Sequence, residues 1–170
     1  MQGSYAMKVA VIMGSKSDLP VAGKAISTLK SFGIQVEGRV LSAHRTPNEA
    51  HAFAASAEEN GVEVIIAAAG KAAHLAGVLA AYTTLPVIGL PIKSSTLDGL
   101  DSLLSTVQMP PGIPVATVAI DGAENAALLA VQILSLKYPV LKTRLAAYKK
   151  EMADRVLEAD KTLQKEIDLI

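Results

Sequence analysis

Short runs rich in Val, Ile, Leu and Ala recur along the chain, each about as long as a single β-strand. The runs at 8–13 and 64–69 are almost wholly apolar, as expected when helices cover both faces of a parallel sheet. The run at 86–90 is short because a proline stands at each side. The predicted strands cover residues 8–13, 35–41, 64–69, 86–90 and 115–118.

A helical pattern follows each predicted strand. Two of these helices cover residues 19–32 and 47–60, and a third follows the turn at 70–77 and ends near residue 82. The fourth has Leu97, Leu100, Leu104 and Val107 on one face, and the fifth covers residues 123–136. Strict alternation of strand and helix predicts an α/β fold, a three-layer sandwich with helices on both faces of a parallel sheet. Five strands favour the flavodoxin-like order 2-1-3-4-5. Residues 7–136 are therefore predicted to form one flavodoxin-like domain.

An extra C-terminal helix is predicted over residues 139–167. Its apolar positions form a stripe on an otherwise charged surface: Leu141, Leu145, Tyr148, Met152 and Val156. The helix could fold back on its own domain or pack on a neighbouring subunit. We favour the neighbour, because the helix at 123–136 also lacks a polar face.

Composition narrows the classes of function. Sixteen basic residues balance sixteen acidic ones, so charge gives no reason to expect a nucleic-acid or membrane partner. The chain has no cysteine, which excludes disulfides and thiolate chemistry and fits a reducing, cytoplasmic setting. No secretory leader or membrane-spanning run is evident, and residues 1–6 are assigned to no element. A hydrophobic fraction of 51% with only 4% aromatics indicates many small aliphatic residues, which favours a soluble homo-oligomer.

The polar segment 42–47 joins the second predicted strand to a helix. It places His44 and Arg45 at the carboxyl end of a strand, where open α/β sheets bind their ligands. Thr46 and Glu49 have the spacing of a capping box, and Pro47 fits the first helical position. An imidazole that titrates near neutrality beside a fixed cation suits acid/base chemistry on an anionic substrate.

Two further loops belong to the same predicted edge. Ser15 and Ser17 lie at a helix N-terminus and could bind an anion, whereas Asp18 either caps that helix or contacts sugar hydroxyls. The glycine- and alanine-rich turn at 70–77 either lets a ligand approach the backbone or packs tightly as a helix start. His74, at that start, is predicted to be a neutral donor or a structural histidine.

These residues exclude some chemistries and leave the reaction open. His51, in mid-helix, is predicted to have no functional role. Three scattered histidines without cysteine make a poor metal site, and no Gly-x-Ser-x-Gly motif marks a serine hydrolase. The residues alone indicate a phosphorylated, ribose-bearing small molecule and proton transfer by His44.

Four motifs in the same order resemble those of the class I N5-carboxyaminoimidazole ribonucleotide mutases, the purine-pathway carboxylase catalytic proteins. They are residues 14–18, residues 42–47, the turn Ala72-Ala73-His74-Leu75, and Gln108-Met109-Pro110. The resemblance implies a cofactor-free mutase that moves a carboxylate from the exocyclic nitrogen to ring carbon C4, through CO2 held in the site. It also implies a homo-octamer, and transient contact with the ATP-dependent synthetase that makes the substrate is a further possibility.

The resemblance assigns roles to individual residues. His44 matches the proton-shuttling histidine, Arg45 the phosphate-side arginine, and Ser15 and Asp18 substrate contacts. The supporting substrate-binding positions are Ser17, Ser42, Gly70, Lys71 and His74. The sequence departs from the family pattern at Lys71, where glycine or arginine is commoner, and at Ala76, where proline is usual, so closure of this loop is in question.

Two alternatives stay open at this point. A class II carboxylase would use free CO2 and aminoimidazole ribonucleotide, but those relatives differ at the turn 72–75. A flavodoxin-like carrier or receiver domain is disfavoured, because the third strand ends at 67–70 without an aspartate and the loops offer no aromatic for a flavin.

Overall fold

The computed structural model describes residues 7–95 and 97–170. Its centre is a five-stranded, all-parallel sheet in the order β2-β1-β3-β4-β5, which confirms the predicted fold class and strand order. The strands are β1 (Lys8–Met13), β2 (Gln35–Val40), β3 (Val64–Gly70), β4 (Val87–Ile92) and β5 (Ala116–Thr117). The helices are α1 (Leu19–Ser31), α2 (Pro47–Ser56), α3 (Leu75–Ala81), α4 (Leu100–Val107), α5 (Ala123–Ser135) and α6 (Pro139–Ile167).

Two apolar cores lie on opposite faces of the sheet. Helices α1 and α5 and the first turns of α6 cover one face, and α2 and α3 cover the other. Alanines dominate the helix surfaces at both cores, for example Ala25 in α1 and Ala130 in α5, both fully buried. Small side chains let these helices lie close to the sheet and to each other.

The predicted ends of the last two strands were wrong. β4 continues two residues further than predicted, through Pro91, because β5 pairs only with Ile88 and Gly89. Beyond Gly89, no residue of β5 pairs with β4, so the backbone N–H that Pro91 lacks is not needed there as a donor. The Pro91 carbonyl still accepts a hydrogen bond from the Asp121 amide (2.9 Å). β5 is correspondingly two residues long, and α2 ends at Ser56 rather than at residue 60.

Helix α4 faces the sheet with its polar side. Ser102 and Thr106 are buried, and their hydroxyls donate to backbone carbonyls, Ser102 to Ile92 (2.9 Å) and Thr106 to Ser102 (2.7 Å). The apolar face that the sequence identified points outward, with side chains 45–69% exposed: Leu97, Leu100, Leu104 and Val107. Leu97 belongs to the short 3-10 turn before the helix.

Glycine is required where α4 crosses β4. A Cβ atom on Gly89 would lie 2.3 Å from Cγ2 of Thr106, closer than any real contact, and 3.0 Å from Cγ1 of Val115. The helix can therefore approach the sheet only because Gly89 has no side chain.

The C-terminal helix has two different halves. Leu141 and Leu145 are buried against the α1–α5 side of the core, so the first turns do pack on the helix's own domain. From residue 151 to residue 170 every side chain is exposed, including Met152 and Val156 of the predicted stripe. Packing of this second half on a neighbouring subunit stays a prediction.

Candidate active site

One open cavity lies at the carboxyl edge of the sheet, with a volume of about 600 Å³. The loops that follow β1, β2, β3 and β4 supply its walls, as parallel topology requires. The lining residues are Gly14, Ser15, Ser17, Asp18, Ser42, Ala43, His44, Arg45, Ala69, Gly70, Lys71, Ala72, His74, Leu75, Ile92, Lys93, Ser94 and Ser95. All nine residues predicted for the site are in this set.

The loop after β1 is a compact hydroxyl cluster. The Ser17 hydroxyl donates to the Ser15 hydroxyl (2.9 Å), which also accepts from the Ser17 amide (3.3 Å). The Asp18 carboxylate accepts from the Ser15 amide (3.0 Å) and so closes a capping box on the 3-10 turn Lys16–Asp18. The predicted cap on α1 is wrong, because the Asp18 side chain makes no cap hydrogen bond to that helix and bonds to the Ser15 amide at the start of the preceding turn. Asp18 does line the cavity, so contact with sugar hydroxyls stays a prediction.

Asp18 is unusual for a carboxylate because it is only 7% exposed. Burial raises the pKa of Asp18 above its ordinary value, while the Ser15 amide and the Arg45 charge act in the opposite direction. The carboxylate is therefore poorly solvated and gains from any ligand that donates hydrogen bonds to it, as ribose hydroxyls do.

Arg45 joins the first two loops. Its Nη2 donates to the Gly14 carbonyl (3.0 Å) and its Nε to the Ser42 hydroxyl (3.3 Å). The Ser42 hydroxyl also accepts from the Arg45 amide (3.2 Å). These bonds hold the guanidinium near the hydroxyl cluster, where cation and hydroxyls together suit an oxyanion.

The predicted capping box at the start of α2 is wrong. The Thr46 hydroxyl accepts from the Ser42 amide (2.9 Å) and donates to the Ser42 carbonyl (3.2 Å) instead of capping the helix. The hydroxyl closes the 42–46 turn, because the Ser42 backbone offers it both a donor and an acceptor. Pro47 does occupy the first helical position.

Two histidines from different loops meet in the cavity. His44 Nε2 lies 2.9 Å from His74 Nδ1, and the rings meet edge to face with centroids 5.0 Å apart. A hydrogen bond between ring nitrogens needs one donor and one acceptor, so the two rings share one proton across it. We call His44 and His74 the histidine pair. His74 lies at the N-cap of α3, just before the first helical turn in which it was predicted.

The fourth motif, Gln108-Met109-Pro110, lies outside the cavity and packs on α3. The Met109 side chain packs against Gly77 of α3, where an added Cβ would lie 2.9 Å from the methionine sulfur. The Gln108-Met109-Pro110 segment therefore supports the helix whose N-terminus carries His74, without lining the cavity itself.

Sequence reasoning missed the fourth wall of the cavity. Ile92 ends β4 and residues 93–95 follow it, and the Lys93 amide donates to the Asp121 carboxylate (2.9 Å). Ser94 donates to the Asp101 carboxylate (3.2 Å). The signal was available in principle, because every loop at the carboxyl edge of adjacent strands is a candidate.

Other parts of the described chain add no competing site chemistry. His51 lies outside the cavity and stacks on Tyr82 with ring centroids 4.0 Å apart. Within residues 7–95 and 97–170 no group of acidic residues and histidines has the arrangement of a metal site. In the same part of the chain, no helix combines the length and apolarity needed to cross a bilayer.

The fold and cavity define a flavodoxin-like α/β protein whose cavity at the sheet edge contains two histidines, an arginine and several hydroxyls. The family model described as AIR carboxylase matches residues 8–155. The chain belongs to this family.

Relatives with known names agree with the family assignment. The chain is 64% identical over 145 residues to the N5-carboxyaminoimidazole ribonucleotide mutase of Pyrococcus abyssi, covering 85% of this chain and 83% of that protein. It is 55% identical over 157 residues to the mutase of the same name from Thermotoga maritima, covering 92% of each. Among solved structures, Treponema denticola PurE matches with a TM-score of 0.82 and 31% identity, over 92% of this chain and 98% of that chain.

Proposed function

We propose that this protein is an isomerase of purine biosynthesis that converts N5-carboxyaminoimidazole ribonucleotide into 4-carboxy-5-aminoimidazole ribonucleotide. The observation that carries the proposal is the location of His44 in the same cavity as Arg45 and the hydroxyl cluster of Ser15 and Ser17. A nucleotide that spans these groups would place its phosphate and its heterocycle at opposite ends.

The phosphate and ribose would bind beside the first two loops. Arg45 and the hydroxyls of Ser15, Ser17 and Ser42 supply charge and donors to the phosphate. The buried carboxylate of Asp18 would accept from ribose hydroxyls, because it would repel the phosphate itself.

The heterocycle would lie beside the histidine pair. As the N5–carboxylate bond breaks, its electron pair stays on nitrogen, which takes a proton from His44, and CO2 is released. Ring carbon C4 then attacks CO2, and the proton on C4 passes back to His44. The two transfers balance, so the cycle needs no added oxidant, reductant or cofactor. One imidazole can perform both transfers, and His74 holds it in place.

Retention of CO2 is the second requirement. Gly70, at the end of β3, and Ala72, just after it, line the cavity. Their small side chains leave space for CO2 and let a carboxylate approach the backbone. Recapture of a held CO2 is intramolecular, an advantage of roughly 7–11 kcal/mol at its upper end.

Assembly as a homo-oligomer, such as an octamer, belongs to the same proposal. The outward apolar face of α4 and the exposed apolar side chains of α6 beyond residue 151 are the supporting surfaces. A cytoplasmic location and transient contact with the synthetase that delivers the substrate complete the proposal.

The test is turnover of N5-carboxyaminoimidazole ribonucleotide in CO2-depleted buffer. We expect product to form without bicarbonate, and His44→Asn to lower kcat by at least about 100-fold while the nucleotide still binds. His51→Asn is the matched control, since His51 lies outside the cavity. Product formation only from aminoimidazole ribonucleotide and bicarbonate would contradict the mutase and establish the class II carboxylase instead.

A further inference from the structure

Lys71 has a backbone conformation that lysine rarely adopts. Its φ is +57°, in the left-handed region where glycine has no steric penalty. The other non-glycine residues of the described chain with positive φ are Leu97, Asp98 and Asp121, and none of them lines the cavity. A strained residue inside a ligand cavity points to a function that its side chain supplies.

The charges of the cavity show what that function is. Among the described residues, three cationic side chains line it, and two already have partners. Arg45 is bonded to Gly14 and Ser42, and the Lys93 ammonium pairs with the Asp98 carboxylate (3.2 Å). Lys71 makes no salt bridge to any residue that the structure describes. Its ammonium is therefore available for an anion from outside the protein.

Lys71 lies in the same loop as His74, one member of the histidine pair. Arg45 is held at the ends of β1 and β2, whereas Lys71 follows β3 directly and precedes His74 by three residues. The loop after β3 thus brings Lys71 to the wall of the cavity that also supplies His74.

We propose that Lys71 binds the carboxylate of the substrate and the product, and so selects carboxylated nucleotides over aminoimidazole ribonucleotide. This inference rests on the proposed function, which supplies a ligand with two separate anionic groups. Arg45 and the hydroxyl cluster take the phosphate, and Lys71 takes the second anion beside the imidazole that moves the proton. Lys71 lines the cavity from this left-handed turn, at a cost in stability that glycine would avoid.

The test compares two ligands that differ only in the carboxylate. Calorimetric titration measures the Kd of 4-carboxy-5-aminoimidazole ribonucleotide and of aminoimidazole ribonucleotide for the wild type, Lys71→Gly and Lys71→Arg. We expect Lys71→Gly to weaken binding of the carboxylated nucleotide roughly 10- to 100-fold and that of the other less than about 2-fold. Lys71→Arg should keep most of the discrimination, because it keeps the charge.

Stability supplies a second readout. The midpoint temperature of free Lys71→Gly should rise by about 2–4 °C, because glycine relieves the left-handed strain. Lys24→Ala, which removes an exposed cation of α1 outside the cavity, controls for loss of charge and should change neither Kd.

The outcomes separate this inference from the function on which it rests. Unchanged affinity of Lys71→Gly for the carboxylated nucleotide, or an equal loss for both nucleotides, would overturn the role of Lys71 while wild-type turnover persists. Absence of wild-type turnover of N5-carboxyaminoimidazole ribonucleotide would overturn the proposed function and this inference together.

Discussion

Replacing His74 by phenylalanine removes the hydrogen bond of the histidine pair and keeps an aromatic ring at the same place. The lost bond joins His44 Nε2 to His74 Nδ1 over 2.9 Å. The edge-to-face contact, with centroids 5.0 Å apart, remains available to the phenylalanine ring. The variant therefore isolates the contribution of the hydrogen bond to the orientation of His44.

The size of the effect follows from the two contacts. A net hydrogen bond contributes about 0.5–1.5 kcal/mol, which corresponds to roughly a 2- to 13-fold loss of kcat for His74→Phe. His74→Ala also loses the ring contact, worth about another 0.5–1.5 kcal/mol, so its loss should be roughly 5- to 160-fold. His74→Asn, whose amide can occupy the position of Nδ1, should lose the least of the three.

The assay is steady-state turnover of N5-carboxyaminoimidazole ribonucleotide by the three variants, with each repeated in a His44→Asn background. If His74 acts only by positioning His44, the second substitution should cost nothing once His44 is gone. A His74→Phe variant as impaired as His44→Asn would refute this reasoning, because His74 would then have a chemical role of its own. So would wild-type kcat in all three variants.

Three further predictions concern single residues. Burial raises the folded-state pKa of Asp18 above its ordinary 3.8, so the native state holds that proton more tightly than the unfolded chain and stability falls as pH rises through this window. Asp18→Asn should therefore raise the melting temperature of the free protein at pH 7, and this increase should shrink as the pH is lowered toward 3.8. An increase of the same size at pH 7 and near pH 3.8 would contradict this reasoning. Gly89→Ala should destabilise the fold by about 1–3 kcal/mol in urea unfolding, because its Cβ would meet Cγ2 of Thr106 at 2.3 Å, and the companion change Thr106→Ser should restore most of the loss. Arg45→Ala should raise KM with little change in kcat, and an unchanged KM would show that Arg45 does not meet the phosphate.

The sequence was sufficient for the architecture and for three of the four loops that line the cavity. Alternating strand and helix patterns leave few topologies, and each polar segment that follows a predicted strand must lie at one edge. This reasoning brought residues from three separate loops, as far apart as Ser15 and His74, into one predicted cavity, and the structure places them there.

Local competition between hydrogen bonds explains one failure. The spacing of Thr46 and Glu49 predicted that the Thr46 hydroxyl would cap α2. This hydroxyl instead accepts from the Ser42 amide and donates to the Ser42 carbonyl. Sequence spacing identifies groups that can meet and does not rank partners that compete. The hydrogen bond within the histidine pair could not be predicted from sequence spacing either, because thirty residues separate His44 from His74.

The apolar pattern of α4 shows a second limit of structure prediction from sequence. The pattern in α4 gave its apolar face correctly, and the buried face is the one that holds Ser102 and Thr106. Their hydroxyls bond to nearby carbonyls, so burial of the polar side costs little, and the apolar side is free for a partner. The spacing of apolar positions along a helix tells which residues share a face, and packing decides which face meets the sheet.

The most direct measurement is the structure of this protein with 4-carboxy-5-aminoimidazole ribonucleotide bound. We expect the phosphate beside Ser15, Ser17 and Arg45, and a ring nitrogen of His44 within about 3.5 Å of C4 or of the exocyclic nitrogen. A nucleotide bound with its heterocycle away from His44, in its own subunit and in every neighbouring one, would contradict the proposed chemistry.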